Sequence, residues 1–481
     1  MNRKMIFYML GQMLLILAVL LLVPAAVAAV YVEKAGLAFL AAAAAAFLPG
    51  ILLRRLMKPA DRTVYAKEGF VIVAFSWMLL SVVGALPFVF CGEIPSFVDA
   101  LFETASGFST TGASILTDVE SLSRSVLFWR SFTHWVGGMG VIVFVMALFP
   151  SESGRTMHIM RAEMPGPIVG KIVPKVRETA KQLYFIYIAL TLIEFIFLLC
   201  GGMPVFDSLL HSFGTAGTGG FGIKNNSIAG YSPYLKWVIT VFMYLFGVNF
   251  NLYFLTLTGK AKTALKSFEL FVYTAIVVVS AAVITVNILP QYESAGTAVR
   301  DAAFQVSSIV TTTGFSTADF DLWPQLSKTV LVLLMFIGGC AGSTAGGLKV
   351  SRIILMFRMI KRDLRKMIHP RSVGVVKFDG KAVDDGTLEG IGVYFGLYFI
   401  IFAAITLFIS FEPFCDFETA FTATSACINN IGPGLAAVGP ASNFAAFSVP
   451  SKLVLTFAML LGRLEIFPIL LALSPKTWLR K

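Results

Sequence analysis

Charged residues are scarce in this chain of 481 residues: Asp, Glu, Lys and Arg make up 14% of it, whereas hydrophobic residues make up 57%. Soluble globular proteins carry about 25% charged residues, so the composition excludes that class. The apolar residues are grouped in runs of the length, about 20 residues, that a helix needs to cross a bilayer. The sequence therefore predicts a membrane protein with many spans.

Cysteine and histidine are also few. The chain contains Cys91, Cys200, Cys340, Cys415 and Cys427, and His134, His158, His211 and His369. The odd, scattered cysteines exclude a disulfide framework and a zinc-site spacing. A membrane enzyme would need paired carboxylates, a metal cluster or an activated nucleophile, and neither Ser109 nor Ser343 has a base at motif spacing. We therefore expect that the chain is not an enzyme and has no covalent cofactor.

Basic residues outnumber acidic ones, and the net charge is +11. Such a surplus can indicate nucleic acid binding, but most of the Lys and Arg residues occupy the amino terminus, alternate loops and the carboxyl terminus. By the positive-inside rule these segments face the cytoplasm. The charge therefore predicts a multi-pass protein with both termini in the cytoplasm and gives little support to a nucleic acid partner.

A short glycine turn recurs four times between apolar runs. The turns are Thr110-Thr111-Gly112, Thr218-Gly219-Gly220, Thr312-Thr313-Gly314 and Asn430-Ile431-Gly432. An acidic residue precedes each glycine by thirteen positions in the first three copies and by fourteen in the fourth. These residues are Asp99, Asp207, Asp301 and Glu418. The second and fourth turns depart from Thr-Thr-Gly, so the predicted symmetry is approximate.

Each acidic residue is placed to begin a short helix, whose dipole then points its negative end at the turn. About eleven helical residues span ~16 Å, roughly half the hydrocarbon thickness, so each segment should enter the membrane and return. Irregular backbone at that depth is tolerated where it lines a watery cavity, and glycine lets carbonyl oxygens turn inward to replace the hydration shell of a cation. Ordinary loop chemistry is the alternative for one copy, but four copies favour a single pore.

The predicted fold is an all-α polytopic membrane protein. Four pseudosymmetric repeats, each a helix, a re-entrant pore loop and a helix, surround one pore, and two N-terminal transmembrane helices lie at about residues 5–31 and 36–53. The predicted units are the N-terminal pair at residues 1–63 and repeats at 64–165, 166–262, 263–382 and 383–481. The helix that leaves each repeat, its exit helix, is predicted at residues 126–149, 236–257, 330–360 and 453–473.

The third exit helix contains five glycines in ten residues. With the basic residue that follows, the stretch comprises Gly338, Gly339, Cys340, Ala341, Gly342, Ser343, Thr344, Ala345, Gly346, Gly347 and Lys349. Each glycine costs a helix about 1 kcal/mol relative to alanine, so we expect the helix to break here. A small-residue packing face is the alternative. A flexible loop below the pore turns could block or open the pore.

Ionisable residues within predicted spans are costly and mark function or pairing. Arg130 lies near the outer end of its span, where snorkelling is a sufficient explanation, although a functional role stays open. Glu194 is either a proton or cation relay or a hydrogen-bonded packing residue. Arg463 is too near Glu465 in sequence for a simple helix-face ion pair, so we expect it to contact the glycine-rich loop or to lie in the cavity.

A basic segment continues from the glycine-rich stretch. It contains Arg352, Arg358, Lys361, Arg362, Arg365 and Lys366. A solvated basic face is the default interpretation. A docking surface for a cytoplasmic partner is the alternative, because such a partner could move a gate joined directly to this segment.

With these motifs the chain resembles the Trk/Ktr/HKT superfamily of potassium transporters, and its two leading helices resemble the TrkH and TrkG branch. The resemblance rests on the four turns, residues 339–347, Gly462-Arg463-Leu464-Glu465 and His369-Pro370-Arg371. It implies that carbonyls of the four turns bind potassium as a selectivity filter. Glycine rather than serine at position 112 is the form associated with potassium. The resemblance also implies a gating loop at residues 338–347, beside Lys349 and Arg463.

The resemblance further implies a homodimer with one pore in each subunit, located in the cell inner membrane. It implies a cytoplasmic TrkA-like ring of nucleotide-binding domains, with nucleotide only on that partner and potassium as the transported ion. A gated channel and a sodium- or proton-coupled symporter that uses Glu194 as its coupling group both stay open.

Overall fold

The computed structural model describes residues 1–59, 65–140, 176–372 and 374–478, which are predominantly helical. In the first half the helices are α1 (Arg3–Tyr31), α2 (Ala35–Leu56), α3 (Ala66–Cys91), α4 (Phe97–Phe108), α5 (Arg124–Gly138), α6 (Val176–Cys200), α7 (Val205–Gly217), α8 (Pro233–Phe246) and α9 (Phe250–Leu257). In the second half they are α10 (Ala261–Leu265), α11 (Phe268–Ile288), α12 (Ala295–Val310), α13 (Gln325–Ile337), α14 (Val350–Ile368), α15 (Asp385–Ile409), α16 (Phe417–Ile428), α17 (Val449–Arg463), α18 (Phe467–Leu473) and α19 (Pro475–Trp478). A short antiparallel hairpin pairs β1 (Lys377–Phe378) with β2 (Lys381–Ala382).

Six of the described helices are long and apolar enough to cross a membrane. They are α1, α2, α3, α6, α11 and α15. Two further helix pairs, each bent sharply at a short break, raise the number to eight if each pair is one span. These helices agree with the predicted membrane protein with many spans.

The two N-terminal helices pack against each other and against α3 and α5. Glu33, between them, accepts hydrogen bonds from the backbone N–H groups of Arg124 at 2.8 Å and Ser125 at 3.0 Å. These N–H groups open α5 and have no partner within the helix, and a carboxylate also complements the positive end of the helix dipole. The pair is therefore tied to the first repeat at the start of its exit helix.

Four short helices, α4, α7, α12 and α16, each end at one of the glycine turns. An acidic residue lies in the first turn of three of them, namely Asp99 in α4, Asp207 in α7 and Glu418 in α16. The third helix differs, because α12 begins at Ala295 and Asp301 lies in its interior. The prediction that Asp301 begins a helix is therefore wrong. Residues 295–300 contain no proline, so nothing stops the helix from starting earlier.

The exit helices are interrupted. Helices α8 and α9 meet at 90° and helices α17 and α18 at 118°, so the continuous spans predicted at residues 236–257 and 453–473 are wrong. Asn249 starts a new helix in the first break, where its side chain caps the backbone N–H of Asn251 at 2.9 Å. In the second break Glu465 and Ile466 have positive φ, of 56° and 64°. The third exit helix breaks at the glycine-rich stretch, as predicted. The first ends at Gly138, and residues 141–149 of the predicted span lie outside the described residues.

Each exit helix packs against the next short helix along the chain, and the last exit helix packs against the first short helix. Helix α5 contacts α7, α8 contacts α12, α13 contacts α16, and α17 returns to contact α4. The last contact joins the end of the chain to its first repeat. The order of contacts is therefore closed, which brings the four glycine turns together.

Candidate functional site

The four turns share one backbone conformation. The first residue of each has a left-handed φ, and these residues are Thr110 (56°), Thr218 (55°), Thr312 (57°) and Asn430 (56°). The glycines are also left-handed, and they are Gly112 (81°), Gly220 (72°), Gly314 (85°) and Gly432 (101°). Only glycine adopts this conformation without strain at a position with no room for a side chain.

The turns form a closed ring. A Cβ atom on Gly112 would overlap the carbonyl oxygen of Gly219, one on Gly220 would overlap that of Thr313, and one on Gly314 would overlap that of Ile431. A Cβ on Gly432 would lie 2.8 Å from the carbonyl oxygen of Thr111. Each glycine thus faces the carbonyl that precedes the glycine of the next turn. We call the twelve residues of the four turns, at 110–112, 218–220, 312–314 and 430–432, the four-turn ring.

A cavity of about 180 Å³ opens directly on this ring, and all four glycines line it. Ser114, Arg130 and Asn225 lie on its wall. Outside it, Asp118 accepts hydrogen bonds from the Asn225 side chain at 2.9 Å and the Glu120 backbone at 3.1 Å. These bonds lower the pKa of the Asp118 carboxyl, which therefore stays ionised at neutral pH and attracts cations to this end of the ring.

Arg130 and Glu103 form a buried ion pair behind the first turn. Arg130 Nη2 lies 2.7 Å from Glu103 Oε1, and the two residues are 2% and 1% exposed. Glu103 also accepts bonds from Ser114 Oγ at 3.0 Å and Ile115 N at 3.1 Å. Arg130 reaches the carbonyl oxygen of Gly222 at 3.3 Å. The interpretation of Arg130 as a snorkelling side chain is therefore wrong, because its charge is buried and paired within the protein. The pair links the segments that follow the first and second turns.

His134 links the same two turns from the other side. Its Nδ1 lies 2.8 Å from the carbonyl oxygen of Gly107, and its Nε2 lies 3.3 Å from the backbone N of Phe221. A neutral imidazole that donates through Nδ1 and accepts at Nε2 satisfies both contacts. The fully buried ring thus fixes the end of α4 relative to the segment that follows Gly220.

Replacing Glu103 by Gln should be strongly destabilising. The substitution leaves Arg130 buried without its counter-charge, which typically costs about 3–5 kcal/mol. We expect a large fall in the thermal stability of the purified protein, whereas Glu120→Gln, which neutralises an exposed carboxylate, should have little effect. Equal melting temperatures for the two variants would contradict the assignment of Glu103 and Arg130 as a supporting pair.

The glycine-rich stretch lies against the ring. Gly346 N donates to Thr312 Oγ1 at 2.6 Å, and Gly347 N donates to the carbonyl oxygen of Asn429 at 3.1 Å. On its other side, Cys340 N donates to the carbonyl oxygen of Gly247 at 2.9 Å. The stretch is therefore an ordered loop, attached to the third and fourth turns and to the break between α8 and α9. We call residues 338–347 the intramembrane loop.

Arg463 lies between the intramembrane loop and the ring. It donates to the carbonyl oxygen of Thr344 at 2.9 Å and to Thr110 Oγ1 at 3.2 Å. It also reaches the carbonyl oxygens of Gly137 and Gly138, at 2.6 and 2.7 Å. One guanidinium thus joins the ends of two exit helices to the loop, and its fork of donors suits several carbonyls at once.

Two further ionisable groups bind backbone atoms within the loop. Lys349 is buried and its ammonium donates to the carbonyl oxygen of Ala345. Glu269, at the start of α11, accepts from Ala341 N at 2.7 Å. Below them Arg352 pairs with Glu465. Thus Glu465 pairs with the first turn of α14, whereas Arg463 is directed at the loop.

Sequence reasoning missed Glu103 and Glu269. Glu103 follows Asp99 by four residues, which puts both on one face of α4 and is the signal that was available. Glu269 stands next to a basic segment and gave no sign of being buried. Glu194 is fully buried beside the Thr215 side chain, and neither carboxylate oxygen has a partner at ordinary hydrogen-bond distance among the described residues. It does not line the cavity of the ring.

A metal cluster is also not found in the described part of the chain, where no three His, Cys, Asp or Glu side chains come together. The oxygen atoms that converge at the ring are backbone carbonyls, which can bind a cation without a charged ligand.

The model of the family described as TrkH, cation transport protein, matches residues 35–479. The chain belongs to this family.

Relatives in the TrkH family extend over the whole chain. The Trk system potassium uptake protein TrkH of Salmonella typhimurium is 37% identical over 99% of this chain and 100% of the relative. The Trk system potassium uptake protein TrkG of Escherichia coli is 32% identical over 99% and 98%. The crystal structure of the potassium transporter TrkH from Vibrio parahaemolyticus has a TM-score of 0.90 and 33% identity, and covers 100% of both chains. The TrkH family consists of ion transporters and not enzymes. The expectation that the chain is not a membrane enzyme is therefore confirmed.

Proposed function

We propose that this chain takes up potassium through the four-turn ring. The observation that carries the proposal is the closed contact between each glycine and the next turn's carbonyl. Four such turns direct backbone oxygens at one axis, where they can replace the hydration shell of a dehydrated cation. The relatives named as potassium uptake proteins support potassium as the transported ion. The four repeats, with the unit boundaries at residues 64, 166, 263 and 383, are part of this proposal.

The intramembrane loop is the proposed gate. Its contacts with Thr312 and Arg463 place it against the ring, on the side reached by the broken ends of the exit helices. A loop in the conduction path obstructs ions, and its withdrawal opens the path. The loop is continuous with α14, which begins directly after Lys349, so a partner that moves α14 could release it.

A proton- or sodium-coupled symporter on the same scaffold is the second candidate. Glu194 favours it, because a fully buried carboxyl whose polar neighbour is the Thr215 side chain, with no charged partner in the described part of the chain, is a site where a proton or cation can bind. Glu194→Gln distinguishes the two functions. The variant should lose any dependence of potassium uptake on a clamped pH or sodium gradient if Glu194 couples the ions, and should transport as the unmodified protein does if the chain is a gated channel.

The partners follow from the same proposal. We place the chain in the cell inner membrane as a homodimer, with both termini in the cytoplasm, where a TrkA-like ring carries the regulatory nucleotide. The basic helix α14 supports a cytoplasmic contact. It adjoins a cavity of about 1010 Å³ lined by Arg358, Lys361, Arg362, Arg365 and Arg371 among others.

Gly112→Ser should weaken the preference for potassium. The Cβ of the serine would overlap the carbonyl oxygen of Gly219, and the serine would have to adopt a left-handed backbone conformation. The first of the four turns, and the carbonyls it contributes to the ring, must therefore shift. We expect a several-fold fall in the ratio of rubidium to sodium uptake by liposomes containing the variant. Gly92→Ser is the matched control, because Gly92 has a φ of 78° and a Cβ added to it would have no atom within 4 Å.

The control separates backbone strain from the ring itself. Both substitutions place a side chain at a left-handed residue, but Gly112 alone of the two faces a carbonyl of the ring. An unchanged uptake ratio in Gly112→Ser, or an equal fall in both variants, would contradict a role of Gly112 in selectivity.

A further inference from the structure

Three exit helices carry a lysine at the same position. The fourth residue is Lys236 in α8, Lys328 in α13 and Lys452 in α17. None of these residues belongs to the ring or to the intramembrane loop. Each lies at the end of its helix that is remote from the loop, and Lys328 and Lys452 contact the short helix of the next repeat.

The partners of Lys328 and Lys452 are acidic residues that precede the glycine turns. Lys452 Nζ lies 2.6 Å from Asp99 Oδ1, which closes a contact between the last repeat and the first. Lys328 Nζ lies 3.1 Å from Glu418 Oε1 and 3.2 Å from Asp321 Oδ1. Lys236 is buried but forms no ion pair among the described residues, and Asp301 instead pairs with Arg300 at 3.3 Å. The pairing therefore occurs at two of the four junctions between repeats.

The remaining junction is different. The fourth residue of α5 is Leu127, which is buried in the apolar core. Asp207, the acidic residue of the second repeat, instead accepts a hydrogen bond from the Tyr231 hydroxyl of its own repeat at 2.9 Å. The ion pairs thus occur at two junctions, whereas this one relies on apolar packing and on the buried Arg130 and His134.

We propose that Lys328 and Lys452 are positioning residues for ion selectivity. Each fixes the start of the next short helix, and since that helix is rigid and ends at a glycine turn, it also fixes the height of the turn's carbonyls in the ring. A carbonyl ring distinguishes cations by the number and arrangement of its oxygens, so a displaced short helix lowers discrimination. The inference rests on the proposed potassium function.

Lys452 allows the most direct test, because its ion pair is shorter than that of Lys328 and joins the last repeat to the first. Lys452→Met keeps the length of the side chain and removes the charge, and Asp99→Asn removes the partner. We expect each to lower the ratio of potassium to sodium flux several-fold in liposomes. The double variant should be no worse than the worse single variant, because the two substitutions remove one shared contact. Lys452→Arg should retain most of the ratio.

Leu127→Met is the matched control at the equivalent position of α5, and it should leave the ratio unchanged. If Lys452→Met does not yield folded protein, Lys328→Met and Glu418→Gln provide the same comparison at another junction. An unchanged flux ratio in the folded lysine variants, or effects of the two single changes that multiply in the double variant, would overturn the inference. Absence of potassium selectivity in the unmodified protein would instead contradict the proposed function.

Discussion

Deleting residues 342–346 is expected to raise potassium flux several-fold while the ratio of potassium to sodium flux stays the same. The deletion removes Thr344 and Gly346, and with them the contacts that hold the loop to Arg463 and Thr312. Flux rises because the obstruction is gone. Selectivity is retained because the loop contacts a Thr312 hydroxyl, whereas the carbonyls of the ring are held by the contacts between turns. Ion flux into liposomes from purified protein measures both quantities.

Arg463→Ala should act in the same direction but more weakly. It removes the contact with Thr344 but leaves the Gly346 and Gly347 bonds in place. Ser343→Ala is a suitable control, because the Ser343 hydroxyl bonds to Cys340 within the loop itself, at 2.7 Å. Reduced flux in both the deletion and Arg463→Ala, at normal expression, would contradict the assignment of the loop as a gate.

The positions of the four turns could be predicted from sequence for a local reason. A glycine that must have positive φ, preceded at a fixed distance by a helix-starting acid, leaves a pattern within about fifteen residues, which is close to the length of one short helix. The same local reasoning predicted the break at residues 338–347, because five glycines in ten residues oppose a helix. It failed for the start of α12, because the residues that precede Asp301 also adopt a helix. The acidic residue therefore does not mark the N-terminus of α12.

The long-range contacts could not be predicted in this way. Asp99 and Lys452 are far apart in the sequence, and nothing near either residue indicates the other. The burial of Arg130 likewise depends on Glu103 and on the carbonyl oxygen of Gly222 in another repeat. A charged residue near the end of a span looks the same in sequence whether it reaches the interface or a buried partner, so only the packing of the repeats decides between them.

The breaks in the second and fourth exit helices were missed for different reasons. A single glycine at position 247 is tolerable in a helix by propensity, and the break there depends on Cys340 N, which donates to the Gly247 carbonyl oxygen. The fourth break had a local signal, because Pro468 lies at the start of α18, where proline favours the first turn of a new helix. A tertiary contact also favours this break, because Glu465 forms an ion pair with Arg352 of α14. The intramembrane loop thus fits into a space that the broken helices leave.

Control of the proposed gate by a cytoplasmic partner is expected to depend on helix α14. This helix begins directly after Lys349 and carries Arg358, Lys361, Arg362 and Arg365 away from the loop. A partner that binds these residues differently in the open and closed states would bias the loop, whereas binding that is equal in both states would not. Neutralising all four with Gln is therefore expected to weaken the complex with a nucleotide-binding partner ring and abolish nucleotide-dependent flux, while the isolated pore still conducts.

The structure divides the four residues into two matched pairs. Arg358 donates to the carbonyl oxygen of Lys377, and Arg362 pairs with Asp363 at 2.9 Å and Asp385 at 2.8 Å, so both hold the segment around α14 itself. Lys361 and Arg365 are exposed. Lys361→Gln with Arg365→Gln should therefore lose partner binding without loss of thermal stability, whereas Arg358→Gln with Arg362→Gln should lose both. A quadruple variant that still co-purifies with the partner ring and responds normally to ATP or ADP would reduce these charges to their role in orienting the chain in the membrane.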